Sequence, residues 1–505
     1  MSGSERDRAQ LFAPCGLSRA TTSLTAMKLR QTWLIAATLA GGYAAVGWAQ
    51  DVATSWYDMV AANGQRLGYV SRRVVPRRSG REIVEATYVR LRGQDGAPLP
   101  VTTRTYRVED SSGRPLSIVQ VSRTGPSRSR LEARIGTGSA EIRRRAASDD
   151  RVVRLALPPG VRFDGGAGLL ARWDPRTTPR LEFDNLNIDA MAVERVVIEP
   201  VAASAGSVTE AVRKRYDGSE LRGVARLRLD GQGEIVGVTQ PMFGTAISTV
   251  PTTRDQALRA HAPYHVLANA MVRSPFRLPP AALQGQIRYR VSFAEELDFP
   301  LPQTGEQRVR SEGGGATIDI CSTCGPGLAS DAQSLAQARA PTPWLQSDHP
   351  RLRALAQPIA RLPVTEARKM ELLRERARPL MPRVDFNGHF SALETLERGA
   401  GDCTEAAVLL AALGRAAGIP TRVANGLVYS RERYHGVSHA FMPHSWTLAW
   451  VEGRWRSFDL ALDSFDSSHI ALTIGDGDTA SVHAASQLAS VLRWEGMTEV
   501  RSREN

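Results

Sequence analysis

From about Asp51 to Gly244, apolar and polar side chains alternate with a period of two, in short runs separated by turn pairs such as Asn63-Gly64, Ser112-Gly113 and Asp230-Gly231. A period of two is that of a strand with one buried face, so a long succession of such runs predicts an antiparallel β-meander or barrel-like sheet. Trp56 and Tyr57 precede the first turn and Tyr88 and Tyr106 lie in later strands, where they read as core residues. Between those two tyrosines, Asp95-Gly96-Ala97-Pro98 reads as a break from one strand to the next.

At 505 residues the chain exceeds one ordinary core, and roughly 100–200 residues per domain implies two to four units. After the β-rich domain at 50–252, the apolar pattern from Thr253 to Leu278 suits one helix, stopped by Pro279-Pro280. A small strand-rich segment follows, completing a unit at 253–325, and the Gly-, Pro-, Ala- and Ser-rich stretch 326–343 reads as a linker. The remaining unit, 344–505, opens with helical spacing at Leu352, Leu355, Ala356 and Ile359 and again at Met370, Leu373 and Ala377, with Pro358 and Pro363 dividing it into two helices. A further helix runs from Cys403 to Ala417, and strands follow at Arg422–Tyr429, His444–Val451 and Arg454–Leu460. Helices first and an antiparallel sheet second is an α+β order.

The net charge of +12 would draw the surface toward anionic partners. The basic residues are nearly all arginines spread along the chain, however, and the densest run, Arg143, Arg144 and Arg145, has no interleaved aromatics to stack bases. Nucleic-acid binding is therefore not expected. From Met27 the chain reads Met-Lys-Leu-Arg, a short apolar run from Leu34 to Val46, and Gly47-Trp48-Ala49. That is the pattern of a signal peptide at 27–49 cut after Ala49, with 1–26 as an upstream extension. The apolar run is shorter than the roughly 20 residues of a spanning helix, so the expected mature protein is exported, periplasmic and without a transmembrane segment. Beyond the cut remain Cys321, Cys324 and Cys403. In an oxidising compartment Cys321-Ser322-Thr323-Cys324 predicts a disulfide, which leaves Cys403 as a reactive-thiol candidate.

Asp402-Cys403-Thr404-Glu405 reads as a helix start, with Asp402 as N-cap and Glu405 closing a capping box. Cys403 then lies in the first turn, where partial positive charge favours thiolate. Gly399 and Gly401 would let the backbone approach a substrate. If Glu452-Gly453 is a two-residue hairpin turn, Val451 pairs with Arg454 and Trp446 falls opposite Asp459. His444 and Asp459 then share a face as diagonal neighbours about 7–8 Å apart at the backbone, within side-chain reach. An aspartate on an apolar strand face needs a partner, and an imidazole supplies one.

Gly401-Asp402-Cys403-Thr404-Glu405, the Leu- and Ala-rich helix after it, Ala417-Gly418-Ile419-Pro420-Thr421-Arg422-Val423, His444-Ser445-Trp446, and Trp455 before Asp459 resemble the core motif of transglutaminase-like proteins over roughly 345–475. The resemblance implies a papain-like Cys-His-Asp fold, with Cys403 as nucleophile, His444 as general base and acid, and Asp459 orienting the imidazole. The sequence departs from the family's usual Asp-Pro-Thr, having Asp459-Leu460-Ala461. It further implies acyl transfer through a thioester on a peptide or protein amide, either hydrolytic or to an amine. The alternative is a non-enzymatic binding or assembly module on the same scaffold.

The Cys403 backbone N–H is the first candidate oxyanion donor. Asp402, Trp446 and His439 are candidates for the substrate cleft, and His435 shares the loop of His439. His349 reads as a cap or surface residue, and Asp463, Asp466, Asp476 and Asp478 as turn residues. No cofactor is implied. A zinc site at Cys321 and Cys324 lacks two further ligands at suitable spacing, and the sequence names no partner for the N-terminal domain.

Overall fold

The computed structural model describes residues 54–500 apart from 93–96, 126, 147–149, 205–206, 295–299, 386–387, 433–436 and 463. The upstream extension, the signal peptide at 27–49, the core of the Asp95-Gly96 break, His435 and Asp463 lie outside the described residues.

The alternating stretch folds into one antiparallel sheet of 14 strands, from Thr54–Ala61 to Thr245–Thr252, in the order 8-7-6-5-4-3-2-1-14-13-12-11-10-9 counted along the chain. First and last strands pair in the middle, Trp56 opposite Thr252, and consecutive hairpins fan out to either side. Two tight turns share one device. Asp110 accepts from the N–H of Ser112 and Arg114, Asp230 from those of Gln232 and Glu234, and Gly113 (φ 82) and Gly233 (φ 74) take the left-handed position. The sheet curls. Ile118, Ala133 and Ile142 on strands five to seven share a core cluster with Leu186, Ile188 and Met191 around strand nine, from the other half of the strand order. Trp56, Tyr69 and Tyr88 form a half-buried cross-strand ladder with centroids 5.6 and 5.4 Å apart, so these aromatics coat a face rather than fill a core.

The stretch 253–278 is not one helix. Arg254–Ala257 and Val266–Ala270 are short helices, separated by residues that run extended past Pro263, where Tyr264 exchanges backbone hydrogen bonds with Arg90 and Arg92 at 2.8 Å. Pro263 removes a donor and biases Ala262 away from helix, and Tyr264 pairs with the end of the third strand beyond where its pairing with the second stops. The strands Gln286–Phe293, Gln307–Glu312 and Gly315–Ile320 form a four-stranded sheet completed by the chain's last strand, Leu492–Val500. The stretch 326–343 carries the helix Ala332–Gln337 and lies against the C-terminal unit: Thr421 donates to Ala338 O at 2.9 Å and Arg415 to Ala340 O at 2.5 Å.

In that unit the helices Pro350–Ala360 and Glu366–Ala377 break around Pro363, while Pro358 sits inside the last turn of the first. They pack on the helix Cys403–Ala416, buried on all sides from Glu405 to Arg415, as its run of Ala and Leu requires. Beneath it lies a five-stranded sheet built on Ala440–Val451, flanked by Thr421–Ser430, with Ile470–Gly475 beyond, Arg454–Phe458 on the other edge and the short strand Val272–Arg273. The N-terminal sheet docks on this unit at two places. Arg144 pairs with Glu394 at 3.2 Å, both buried, and lies over the Trp344 ring. On the other side Arg222 donates to Ile474 O at 3.1 Å and Val224 N–H to Gln487 at 2.8 Å.

Candidate active site

Cys403 is the first residue of its helix. Asp402 caps it, accepting from Thr404 N–H at 2.7 Å, and Glu405 returns the bond to Asp402 N–H at 2.9 Å. The buried Glu405 also accepts from Phe390 N–H at 3.0 Å, and burial with the adjacent Asp402 pushes its carboxyl well up. The two glycines before the cysteine have structural reasons. Gly399 (φ 56) ends the preceding helix Ala392–Arg398, and a Cβ on Gly401 would lie 2.4 Å from that of Glu405. Gly401 thus makes room for the capping box, and Gly399 for the turn that leads into it.

His444 stands on the strand Ala440–Val451, which turns at Glu452 (φ 52) and Gly453 (φ 76) and returns as Arg454–Phe458 with Val451 opposite Arg454. Paired residues run to Thr447 opposite Phe458, and Asp459 follows at once. His444 Nε2 and Asp459 Oδ2 are 2.6 Å apart, with the two residues 5% and 1% exposed, so this polar pair is sealed from bulk water. Asp459 Oδ1 accepts from the N–H groups of Ala461 and Leu462, each at 2.8 Å, and so closes the turn that carries Leu460 where the family has proline. Burial alone would raise the Asp459 carboxyl, but its histidine partners hold it well below the usual carboxylate range.

The helix and the strand meet at Cys403. Thr447 Oγ1 donates to Ala407 O at 3.0 Å one turn further along, and the backbone N–H of Ser445, next to His444, favours the Cys403 thiolate. With Nε2 committed to Asp459, Nδ1 is the ring nitrogen of His444 left for proton exchange. The thiol itself differs from expectation. Cys403 is partly exposed, yet burial pushes its pKa well up, Asp402, Glu405 and Asp459 push the same way, and the Ser445 N–H is the opposing contribution. A helix N-terminus contributes about 0.3–1 kcal/mol, or about 2 in partly buried sites, which does not offset desolvation and three carboxyl groups.

A second histidine reaches the same carboxylate. His469 Nε2 lies 3.1 Å from Asp459 Oδ2, and its Nδ1 lies 3.1 Å from Asp466 Oδ1. Asp466, read from sequence as a turn residue, does hold a turn through Ser468 N–H at 2.9 Å but also belongs to this network. Its signal was an Asp-x-x-His pair at the mouth of the apolar run Ile470–Ile474. The ligand atoms of His444, Asp459 and His469 lie within 4.8 Å of one another, the one grouping of metal-ligand type found among the described residues. Those atoms already satisfy one another at hydrogen-bond distance, so the cluster reads as a proton-holding array.

Trp446 does not line a cleft. It is 2% exposed in the core with Ala338, Ala424 and Trp455, donates Nε1 to Ser457 at 3.1 Å, and stacks at 17° on His444 with centroids 6.1 Å apart, fixing the imidazole plane. His439 (φ 52) is bound to the Tyr429 hydroxyl at 2.8 Å. His349 caps its helix by accepting from Arg351 N–H. His389, which sequence reasoning passed over, donates Nε2 to Gly477 O at 2.7 Å beside Trp344 and interacts electrostatically with Asp402. Cys321 and Cys324 form a disulfide.

Residues 353–460 match the model of the Transglutaminase-like superfamily, so this chain carries a transglutaminase-like domain. No curated protein matches the chain. Among solved structures, a candidate cysteine protease from Cytophaga hutchinsonii is 16% identical with a TM-score of 0.28, over 42% of this chain and 87% of its own. A β-barrel-like protein of a domain of unknown function from Brucella abortus is 11% identical with a TM-score of 0.31, over 40% and 95%. A candidate protease from Parabacteroides distasonis is 13% identical with a TM-score of 0.19, over 76% and 69%.

Proposed function

We propose that the protein is an exported thiol enzyme that cleaves or transfers peptide or isopeptide amide bonds through a Cys403 thioester. The observation that carries the reading is the sealed 2.6 Å His444–Asp459 pair, with the His444 strand tied to the helix that Cys403 begins by the Thr447–Ala407 bond. Burial and the neighbouring carboxyl groups favour the protonated sulfur, and in this reading His444 acts as base at the moment of attack. The S–C bond forms at the amide carbonyl as the thiol proton passes to Nδ1. His444 then returns that proton to the departing amine as the C–N bond breaks. Water or a second amine attacks the thioester, the S–C bond breaks and the thiol is restored. The Cys403 backbone N–H, first in its helix, is the donor assigned to the oxyanion, Thr404 N–H being held by Asp402. Water in excess outside the cytoplasm favours hydrolysis, and the N-terminal segment together with the Cys321–Cys324 disulfide supports export.

The test uses the full mature chain, a mixed peptide library and a labelled primary amine, with products read by mass spectrometry. Cys403→Ala should abolish both new termini and amine incorporation while its melting curve stays that of the wild type. Equal turnover in that variant would sink the reading, and a wild-type thiol that alkylates like a free cysteine would favour a binding module.

A further inference from the structure

We propose that His469 is a positioning residue of the thiol site, holding the far side of the Asp459 carboxylate and, as a cation, limiting how far that carboxylate can stabilise a charged His444. The inference rests on the reading of Cys403, His444 and Asp459 as an acyl-transfer centre, and it adds a fourth and a fifth member to that centre.

The geometry is specific. Asp459 Oδ2 faces two imidazole nitrogens, His444 Nε2 at 2.6 Å and His469 Nε2 at 3.1 Å, while Oδ1 is filled by two backbone N–H groups. The carboxylate therefore cannot turn, and each histidine sees the charge the other has already drawn on. His469 is 2% exposed and lies edge-on to His444, with ring centroids 5.7 Å apart, and to Trp446 at 5.2 Å. Its other nitrogen meets Asp466, whose Oδ1 and carbonyl O, both at 3.1 Å, accept from a protonated ring. The Asp466 N–H at 3.2 Å serves a neutral ring, so both charge states have a partner.

Of the other groups around it, Tyr289 and Phe465 carry no charge at neutral pH. Tyr289 donates its hydroxyl to Ser467 O at 2.8 Å, and Phe465 lies 5.1 Å from the ring. Arg378 interacts electrostatically with Asp459 from outside the pair. A buried imidazole between two carboxylates is favoured as the cation, and although burial opposes this, the hydrogen bonds to Asp459 and Asp466 push the His469 pKa up to about 9.

Two like charges 5.7 Å apart in a protein interior repel by an amount equivalent to one to two pH units, on the order of the Coulomb estimate at an effective dielectric of about 20. Removing one charge relieves the other of that repulsion. His469→Gln keeps an N–H donor near the Nε2 position but no charge. The pH at which the Cys403–His444 pair loses its first proton, read from the acid limb of iodoacetamide alkylation at Cys403, should then rise by about one to two units. A ring with only a packing role would leave that limb in place and change thermal stability alone. Asp466→Asn, which weakens the hold on the His469 proton, should move it the same way by less, and stands in if the glutamine variant does not fold.

Acid limbs that superimpose in wild type and variant overturn the proposal. If instead the wild-type thiol alkylates as an isolated cysteine and His444→Ala changes nothing, the thiol-enzyme reading itself has failed, and the two failures are told apart by the wild-type curve.

Discussion

Replacing Asp459 by asparagine alters one functional group and leaves the shape of the site. The two backbone bonds to Oδ1, at 2.8 Å each, demand an acceptor, so the asparagine carbonyl takes that side and its NH2 faces His444 Nε2. Two donors cannot face each other at 2.6 Å, and His444 must move its proton to Nδ1 so that Nε2 can accept. Nδ1 is then no longer a base toward Cys403. The lost charge-assisted bond by itself amounts to about 1.5–3 kcal/mol, or one to two pH units of imidazole basicity. With the tautomer reversed, the total loss should be about 10²–10⁴-fold, the range of a missing general base. The assay is the rate of Cys403 alkylation at pH 7, followed by intact mass with thermal melting as control. A variant that alkylates within about threefold of wild type and melts normally would refute the assignment of Asp459 as the group that sets the His444 tautomer.

His444→Ala should slow Cys403 alkylation at neutral pH by about 10²-fold or more, whereas His439→Ala should cost only its bond to Tyr429, and the two alkylation profiles compared side by side decide between them. Glu306 is buried and accepts from Ser457 N–H at 2.8 Å, and burial raises its carboxyl from 4.5 to about 7. The folded state therefore binds this proton more tightly than the unfolded state, so stability should fall by roughly 3 kcal/mol as pH rises through that window, and Glu306→Gln should flatten the slope in denaturant titrations. Arg144→Ala leaves the Glu394 carboxylate buried without its cation, which should lower the urea midpoint by an amount equivalent to about 3–5 kcal/mol.

What the sequence made legible is what short-range geometry determines. A two-residue turn at Glu452-Gly453 sets the parity of both flanking strands, so the facing of His444 and Asp459 could be counted outward from it. The capping box at Asp402 and Glu405 is likewise a matter of three residues. His469 escaped because its neighbours, Asp466-Ser467-Ser468, carry the composition of a turn, and alternation reports which face a residue takes without saying which strand it returns beside. The strand Ile470–Gly475 pairs with Thr421–Ser430 rather than with its neighbour in sequence, and only that crossover brings His469 under Asp459. The closing strand Leu492–Val500 is the same case: its pairing with Gln286–Phe293 spans most of the C-terminal half of the chain and leaves no local trace.

The thiol shows a different limit, one of sign rather than of distance. Position at a helix start argues for a thiolate, and that argument is sound for an exposed helix. Here the same capping box that builds the helix start puts Asp402 and buried Glu405 next to the sulfur, and Asp459 stands behind the imidazole. The residues that position Cys403 thus work against its ionisation, which in the proposed mechanism makes the sulfur proton one for His444 to take. In the mechanism proposed here, reactivity depends on the basicity of one imidazole, and that basicity on how Asp459, which faces both rings, divides its charge between His444 and His469.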